Sequence, residues 1–451
     1  MKTTGYRQSG RRVVAKSAAL AGVIVAALTM SACSGGGASS GGSDQTDSGG
    51  AINIWVDPPR VPAAEAFIAA NPDIKVNMTQ IDGTVGGKTL QQQFAQFNSA
   101  GKGWPDALFF PSNDDIAWAS GAQINYTADL GKLLPDVVKG YDKAVIDPCV
   151  RDGKTVCLRN DAAPDVFWYN ASFFAENGYT PPTTWEEYAD LAVKITAEHP
   201  DKISGFMGDA YAPDRYLWAS GCPTNDRLSE TEVHINLDDE KCVRAKDLLT
   251  KLVDGKAVSN LGIFDADAAT VGPNLVMSPG AVWWGDYLFN QTWKIPAGTM
   301  TAVTPLTWDG ESTPATGNEG GGLWGVSNHI KGKQLENTLK FAEFVATDPA
   351  WQVDLTTGLP GYGPVQDDWI AKQSASNYFA DNETTFAAAK KATTYVQPDH
   401  AYMLYNTGGI WTETVTPALV GGSSFDEAWT TFGEELNNQA KSFGYTVVDS
   451  K

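Results

Sequence analysis

Residues 166–195 read VFWYNASFFAENGYTPPTTWEEYADLAVKI and decide how the middle of the chain folds. Thr184 and Glu187 have the spacing of a capping box, in which a hydroxyl and a carboxylate satisfy backbone N–H groups at the start of a helix. Apolar residues recur behind them at helical spacing: Trp185, Tyr188, Ala189, Ala192 and Ile195. The stretch therefore predicts a helix that begins at Trp185 and buries one face.

Short apolar strands alternate with helical patterns in the first part of the folded region. The predicted strands are INIWV at 52–56, IKVNMTQ at 74–80 and ALFF at 107–110, with helices after Pro59 and from Thr89. This alternation indicates a parallel α/β sheet. Ligands of such sheets bind beyond the carboxyl ends of the strands. In this chain those ends are Asp57-Pro58-Pro59, Asp82-Gly83 and Pro111-Ser112-Asn113-Asp114.

Tyr169-Asn170, Gly178 and Pro181-Pro182-Thr183-Thr184-Trp185 resemble a motif of the family-1 extracellular solute-binding proteins, the group that contains maltose-binding protein. In members of that family, a strand ends in Tyr-Asn, a short helix ends near a Gly, and Pro-Pro-x-Thr-Trp begins the next helix. Further pieces follow in the family's order over residues 51–440: Trp104-Pro105-Asp106, Asp152-Gly153-Lys154, Val276-Met277 with Gly280 and Trp283, 320–330, 336–351 and Leu359-Pro360.

The resemblance implies an α/β fold of the periplasmic-binding-protein (Venus flytrap) type, class II-like, with two lobes and three hinge crossings. Carried over to this chain, lobe one takes residues 51–160 and 287–328, and lobe two takes residues 161–286 and 329–451. Ligand binding is then expected to close the lobes about the hinge.

The resemblance also implies a function. The expected protein is the carbohydrate receptor of a bacterial ABC importer, a monomer that binds an oligosaccharide and delivers it to the transmembrane permease subunits, without a cofactor and without catalysis. Two other classes stay open, a secreted carbohydrate-active enzyme and a receptor for a non-sugar solute such as a peptide, a polyamine or iron.

The amino terminus carries the pattern of an export signal. Five basic residues precede an uncharged stretch from Ser17 to Ala32, which is too short to span a bilayer. The residues before Cys33 resemble the lipobox of bacterial lipoproteins, with Met30 in place of the usual Leu, so Cys33 is the expected lipidated residue that anchors the protein to the outer face of the cell membrane. Arg11-Arg12 also resembles a twin-arginine signal, which leaves the export route open.

Residues 34–50 are rich in Gly and Ser and predict a flexible tether. Removal of the five basic residues in 1–33, a segment without Asp or Glu, takes the net charge from −20 to −25 and disfavours nucleic-acid binding. The four remaining cysteines of this exported chain predict local disulfides. A hairpin with the three-residue loop Asp152-Gly153-Lys154 would place Cys149 opposite Cys157, and Cys222 would then pair with Cys242.

Motifs for catalysis or metal binding are weak in this sequence. His199, His234, His329 and His400 are not spaced as metal ligands usually are, and no Gly-x-Ser-x-Gly motif occurs. Adjacent carboxylates such as Asp114-Asp115 leave a glycosidase pair open, since its members need only meet in space. Solvated loop residues are the competing interpretation.

Fifteen tryptophans in the mature body suggest aromatic platforms for a sugar, whose C–H face stacks on rings while its hydroxyls bind Asp, Asn or His. Trp283-Trp284-Gly285-Asp286 is expected at a hinge crossing, on an extended strand where one indole faces the ligand and the other packs. Trp283 is favoured by the resemblance, but the choice stays open. The other candidate ligand-binding residues are Trp55, Asp57, Asn113, Asp114, Tyr211, Trp218, Tyr362, Asp399 and His400. Core packing is the rival role for Tyr211 and Trp218, and helix capping is the rival role for Asn113 and Asp114.

Overall fold

The computed structural model describes residues 46–81, 88–111, 114–397 and 400–450. Its strands are β1 Ile52–Val56, β2 Val76–Gln80, β3 Ala107–Phe110, β4 Val150–Arg151, β5 Lys154–Thr155, β6 Leu158–Arg159, β7 Asp165–Asn170, β8 Asp226–Arg227, β9 Glu232–His234, β10 Met277–Ala281, β11 Met300–Val303, β12 Leu323–Val326 and β13 Thr446–Val448.

Its α-helices are α1 Val61–Ala70, α2 Lys88–Ala100, α3 Asp114–Ser120, α4 Leu130–Leu133, α5 Pro135–Lys139, α6 Lys143–Ile146, α7 Ala171–Asn177, α8 Trp185–Glu198, α9 Glu240–Asp254, α10 Ala268–Val271, α11 Gly332–Thr347, α12 Pro349–Gln352, α13 Gln366–Ser374, α14 Asn382–Ala392, α15 Thr407–Val420 and α16 Phe425–Ser442. Two π-helical segments are also present, Pro213–Trp218 and Trp284–Thr292.

A five-stranded sheet forms the first of two α/β bodies. Its strand order is β2-β1-β3-β12-β6. β1 is parallel to β2 and β3, as predicted, whereas β12 is antiparallel to β3 and β6. Parallel strands end at the same edge, so β1 and β3 bring Asp57 and Pro111 to one side of the sheet, where a ligand would bind.

The second body is built on a three-stranded antiparallel sheet, β10-β7-β11, and on a smaller sheet, β13-β9-β8. Helix α8 begins at Trp185 and buries the five predicted apolar residues. The predicted capping box is present in part. The Thr184 hydroxyl accepts from Glu187 N at 3.2 Å, and the Glu187 carboxylate accepts from Thr183 N at 2.8 Å. Gly178 ends α7 in the left-handed conformation at φ 68°.

Three segments lie side by side between the two sheets. The chain leaves β6, runs through 160–164 and enters β7, while 318–322 returns to β12 beside it. Glu319 N donates to Ala163 O at 2.9 Å, and Asp161 N donates to Gly321 O at 3.1 Å. Ala162 N donates to Leu359 O at 2.8 Å, which adds the third segment. The fold is the two-lobe α/β architecture that the sequence predicts.

The sheets divide the chain differently from the predicted lobe boundaries. β11 pairs with β7 in the second body, although residues 287–328 were expected in lobe one. Helix α11 packs against α1 and β12 of the first body, although residues 329–451 were expected in lobe two. These contacts join residues that are far apart in sequence. Lobe boundaries that are predicted from the sequence alone do not take such contacts into account.

The predicted extended strand at 283–286 is wrong. β10 ends at Ala281, and the chain turns into the π-helical segment Trp284–Thr292. Gly285 allows this turn to pack closely, because a Cβ there would lie 2.5 Å from the Phe379 ring and 3.0 Å from Trp168. The hinge crossing expected at these residues is therefore replaced by a turn that stays beside the second sheet.

Both predicted disulfides are present, Cys149–Cys157 with Cα atoms 5.1 Å apart and Cys222–Cys242 with Cα atoms 4.4 Å apart. The hairpin of the first bridge has a two-residue loop instead of three, because Arg151 pairs with Lys154. Asp152 and Gly153 both have positive φ, at 51° and 74°. That is the geometry of the Asp-Gly turns that match the twist of two strands.

The end of the predicted tether is bound to the first body. Lys331 N donates to Thr46 O at 2.9 Å, and the Asp47 carboxylate accepts from Lys333 N at 3.3 Å at the start of α11. Backbone N–H groups at the start of a helix favour a nearby anion such as the Asp47 carboxylate. The Gly- and Ser-rich composition of this segment does not reveal that contact. The signal peptide, Cys33 and residues 34–45 lie outside the described residues. Among the helices that are described, none has the length and apolar character needed to cross a membrane.

Candidate functional site

Four aromatic rings cluster where the turn after β10 meets the loop 208–211. Trp283 lies 6.2 Å from Tyr211 and 6.2 Å from Tyr287 between ring centroids, and its ring is nearly parallel to that of Phe264 at 5.9 Å. Tyr211 and Trp283 are partly buried, whereas Phe264 and Tyr287 are exposed. We call Tyr211, Phe264, Trp283 and Tyr287 the aromatic cluster.

The two neighbouring indoles have different surroundings. Trp284 is fully buried, its Nε1 donates to Glu319 Oε2 at 3.1 Å, and the Arg215 guanidinium lies 4.8 Å from its ring centroid. Trp283 keeps part of its surface open, and its Nε1 donates to the Glu319 backbone oxygen at 2.9 Å. Trp284 is therefore a core residue, whereas Trp283 is only partly buried.

A buried ionic network supports the aromatic cluster. Arg215 Nε donates to Glu319 Oε1 at 2.6 Å, and Arg215 Nη2 lies 3.2 Å from Asp209 Oδ1. Arg215 and Glu319 are fully buried. Burial raises the pKa of Glu319 to about 6 against the opposing effect of Arg215. Because Glu319 also holds both indoles, the network fixes the orientation of Trp283.

The carboxyl end of β1 presents a second group of polar residues. Arg60 Nη1 lies 3.3 Å from Asp57 Oδ2, and the Arg60 guanidinium lies 4.1 Å from the Phe109 ring centroid. Burial raises the pKa of Asp57 and of Asp161, and Arg60 opposes that shift for both. Oδ1 of Asp57 has no hydrogen-bond partner among the described residues. That oxygen is available to accept from a ligand hydroxyl.

Asp114 and Asp214 bring acidic groups from the two bodies together. Burial, followed by the neighbouring Asp115 charge, raises the pKa of Asp114 to about 8. Burial and then the Asp114 charge raise the pKa of Asp214 well above its usual value. The Asp114 carboxylate accepts from Met403 N, so this group touches the second body. Such carboxyl groups can bind hydroxyls in either protonation state.

His400 and Trp218 pack together behind Asp214. Their rings are nearly parallel, with centroids 3.8 Å apart, and His400 Nε2 lies 2.8 Å from Asn225 Nδ2 and 3.8 Å from Asp214 Oδ1. Burial lowers the pKa of His400 to about 3, so the ring is neutral at pH 7. Trp218 is 3% exposed and donates to Gln397 O at 2.9 Å, which favours the packing role over direct ligand contact.

The remaining predicted residues do not join the aromatic cluster. Trp55 packs on Phe97 with centroids 5.7 Å apart, and Tyr362 packs on Tyr141 with centroids 5.6 Å apart, both in the first body. Asp286 accepts from Asn290 Nδ2 and Gln291 Nε2 of its own helix, at 2.8 and 2.9 Å. Asn113 and Asp399 lie outside the described residues.

Several residues of this region were missed by sequence reasoning: Arg60, Asp161, Arg215, Phe264, Tyr287 and Glu319. Arg60 had a local signal, because it follows Asp57 by three residues at a strand end. Arg215 and Glu319 had none, since an ion pair between distant segments leaves no local pattern. In the described parts of the chain, no group of three or more His, Cys, Asp or Glu residues is arranged to hold a metal ion.

Two α/β bodies joined by three segments define the class of two-lobe binding proteins. The chain belongs to the bacterial extracellular solute-binding protein family, whose model matches residues 57–352.

Solved structures with this fold include binding proteins of two bifidobacteria. The ABC transporter associated binding protein from B. animalis subsp. lactis Bl-04, in complex with beta-1,6-galactobiose, is 21% identical, with a TM-score of 0.72 over 88% of this chain and 99% of that chain. The galacto-N-biose-/lacto-N-biose I-binding protein of the ABC transporter from Bifidobacterium longum, in complex with lacto-N-biose, is 19% identical, with a TM-score of 0.70 over 89% of this chain and 100% of that chain.

A relative by sequence is the osmoprotective compounds-binding protein GgtB of Synechocystis sp. It is 23% identical over 184 residues, which are 38% of this chain and 43% of that protein. The match thus spans less than half the length of that relative.

Proposed function

We propose that this protein captures an oligosaccharide between its two lobes and delivers it to the transmembrane subunits of an ABC importer. The aromatic cluster carries the proposal, because a partly open indole held in a fixed orientation is a platform for the C–H face of a sugar ring. Asp57, Asp114 and Asp214 supply acceptors for its hydroxyls. The sugar complexes of the two bifidobacterial proteins support the same ligand class.

A thermal-shift panel tests the ligand class. The panel contains galacto-, malto-, isomalto- and xylo-oligosaccharides from two to four units, together with peptides and polyamines. The proposal expects at least one oligosaccharide series to raise the melting temperature, because a ligand that binds only the folded state stabilises it. A shift with peptides or polyamines alone would contradict the sugar proposal.

The protein acts by binding and not by catalysis in this proposal. Asp114 with its raised pKa would suit a general acid, so the enzyme alternative needs its own measurement. The bound oligosaccharide is incubated overnight with the protein and analysed by chromatography. A binding protein returns the sugar unchanged, whereas shorter products that vanish in Asp114→Asn would identify a glycosidase.

The proposed location is the outer face of the cell membrane, with the monomer held by lipid on Cys33. The lipobox-like residues before Cys33 support this assignment. Cys33→Ser should give a folded protein that leaves the membrane fraction of the cells. Retention of that variant in the membrane would point to another anchor.

A further inference from the structure

The β4-β5 hairpin of the first body reaches across to the second body. The hairpin belongs to the first body, because β5 packs against α4 and Thr155 N donates to Asp129 Oδ1 at 3.3 Å. At the tip of the hairpin, Asp152 Oδ1 accepts from Arg227 Nη2 of β8 at 2.9 Å. β8 pairs with β9 in the smaller sheet of the second body. This ion pair therefore connects the two bodies outside the three segments that run between them.

A second contact lies next to this ion pair. Arg151 of the same hairpin donates from Nη1 to Tyr402 O at 2.8 Å. The chain at Tyr402 is held on the second body, since Ala401 N donates to Asn225 O at 3.2 Å and Asn225 Nδ2 donates to Ala401 O at 2.9 Å. The hairpin thus contacts the second body at two neighbouring places, through one carboxylate and one guanidinium.

An open cavity of about 350 Å³ lies at this contact, between the two bodies. Asp152 lines it from the first body, and Arg227, Glu230 and His400 line it from the second. His400 Nε2 also lies 3.8 Å from Asp214 Oδ1, which places the contact beside the acidic groups of the candidate site. The ion pair is therefore partly solvated and close to the region where a solute would be held.

We propose that Asp152 and Arg227 hold the two bodies closed and thereby set the rate at which a bound solute is released. The inference rests on the proposed function, because it needs a solute held between the bodies, whether or not that solute is a sugar. When the bodies move apart about the hinge, the hairpin tip and β8 separate, because they belong to different bodies. An interaction that exists only in the closed state slows opening and leaves entry into the open state unchanged.

The expected effect is modest, because the Asp152 side chain is 50% exposed and that of Arg227 is 16% exposed. Partly exposed ion pairs contribute little to stability, so each of Asp152→Asn and Arg227→Gln should speed dissociation about two- to fivefold. Asn is a suitable replacement at position 152, where φ is 51°, because Asn tolerates the left-handed region.

Stopped-flow dilution measures the dissociation rate, with intrinsic tryptophan fluorescence as the signal. The solute is the compound of the thermal-shift panel that raises the melting temperature most. The proteins are the wild type, the two single variants, the double variant and the control Asp426→Asn, all without the signal peptide. Asp426 pairs with Lys246 at 2.6 Å and joins α16 to α9 within the second body, so it does not connect the two bodies. Melting temperatures show that the variants are folded.

The inference predicts that each single variant releases the solute about two- to fivefold faster, and that the double variant is no faster than the faster single variant, because the first substitution already removes the pair. Association rates and the Asp426→Asn control should match the wild type. Wild-type dissociation rates in the single variants would overturn the inference. Effects that multiply in the double variant, or an equal acceleration in the control, would also overturn it.

Failure of the proposed function gives a different result in the same experiment. If only peptides or polyamines shift the melting temperature in the panel, the sugar proposal is contradicted. The dissociation rate of the peptide or polyamine that binds then tests the ion pair in the same way.

Discussion

Neighbouring residues of the same type have different roles at 283 and 284. Both indoles donate to Glu319, one to its backbone oxygen and the other to its carboxylate. The sequence indicated that one of the two faces the ligand and favoured Trp283 by resemblance. The sequence did not show which structural feature buries one indole and leaves the other partly exposed. The turn after β10 buries Trp284 against Arg215, and that packing leaves Trp283 as the open ring.

Alanine variants separate the two roles. Trp283→Ala should weaken oligosaccharide binding by about 1 to 3 kcal/mol, because it removes the platform. Trp284→Ala should lower the free energy of unfolding by about 3 to 5 kcal/mol, because it leaves a cavity in the core. Calorimetric affinity and denaturant unfolding of both variants measure these effects. Wild-type affinity in Trp283→Ala would rule out that residue as the platform.

Asp114 should make stability depend on pH. Its pKa is about 8 in the folded protein against 3.8 for a free side chain, so the folded state holds the proton more tightly. The stabilisation is complete below about pH 4 and is lost as the pH rises through about 8. Asp114→Asn cannot titrate, and its melting temperature should fall less than that of the wild type between pH 5 and pH 8. Parallel curves for the two proteins would contradict the burial of this carboxyl group.

Local sequence patterns were sufficient to predict some helices and hairpins of this chain. Helix α8 was predicted in position and buried face, because capping and apolar spacing are encoded within one turn of each residue. The hairpin at Cys149 is present as predicted, but its loop has two residues instead of three, so its register differs by one residue. Asp-Gly favours a two-residue loop, and in that register the Cα atoms of Cys149 and Cys157 lie 5.1 Å apart, within the range of a disulfide.

The two disulfides should stabilise the fold without taking part in binding. Replacing Cys149 and Cys157 together with Ser should lower the free energy of unfolding by about 2 to 4 kcal/mol, because the unfolded chain is no longer closed into a loop. The same change at Cys222 and Cys242 should act in the same direction. Mass spectrometry of a non-reduced digest checks the pairing. Bridges that connect the two pairs to each other would contradict the structure.

At the scale of the whole molecule, the sequence predicted two lobes and three connections but not their boundaries. β11 joins the second sheet, and α11 packs on the first body. Local sequence patterns do not predict these long-range contacts. Some residues of the candidate site were predicted from the sequence, and others were not. Strand ends predicted Asp57 and Asp114 as ligand-binding residues, and that role stays a prediction. Phe264 was not predicted, because a phenylalanine on an exposed loop has no periodicity to mark it.

Small-angle scattering with and without the oligosaccharide found in the panel measures whether the two lobes close on their ligand. A two-lobe receptor that closes on its ligand should become more compact, so its radius of gyration should decrease at saturating sugar. Trp283→Ala should need a higher sugar concentration for the same decrease. A scattering curve that stays unchanged at saturation, while calorimetry shows that the sugar is bound, would contradict closure of the two lobes around the ligand.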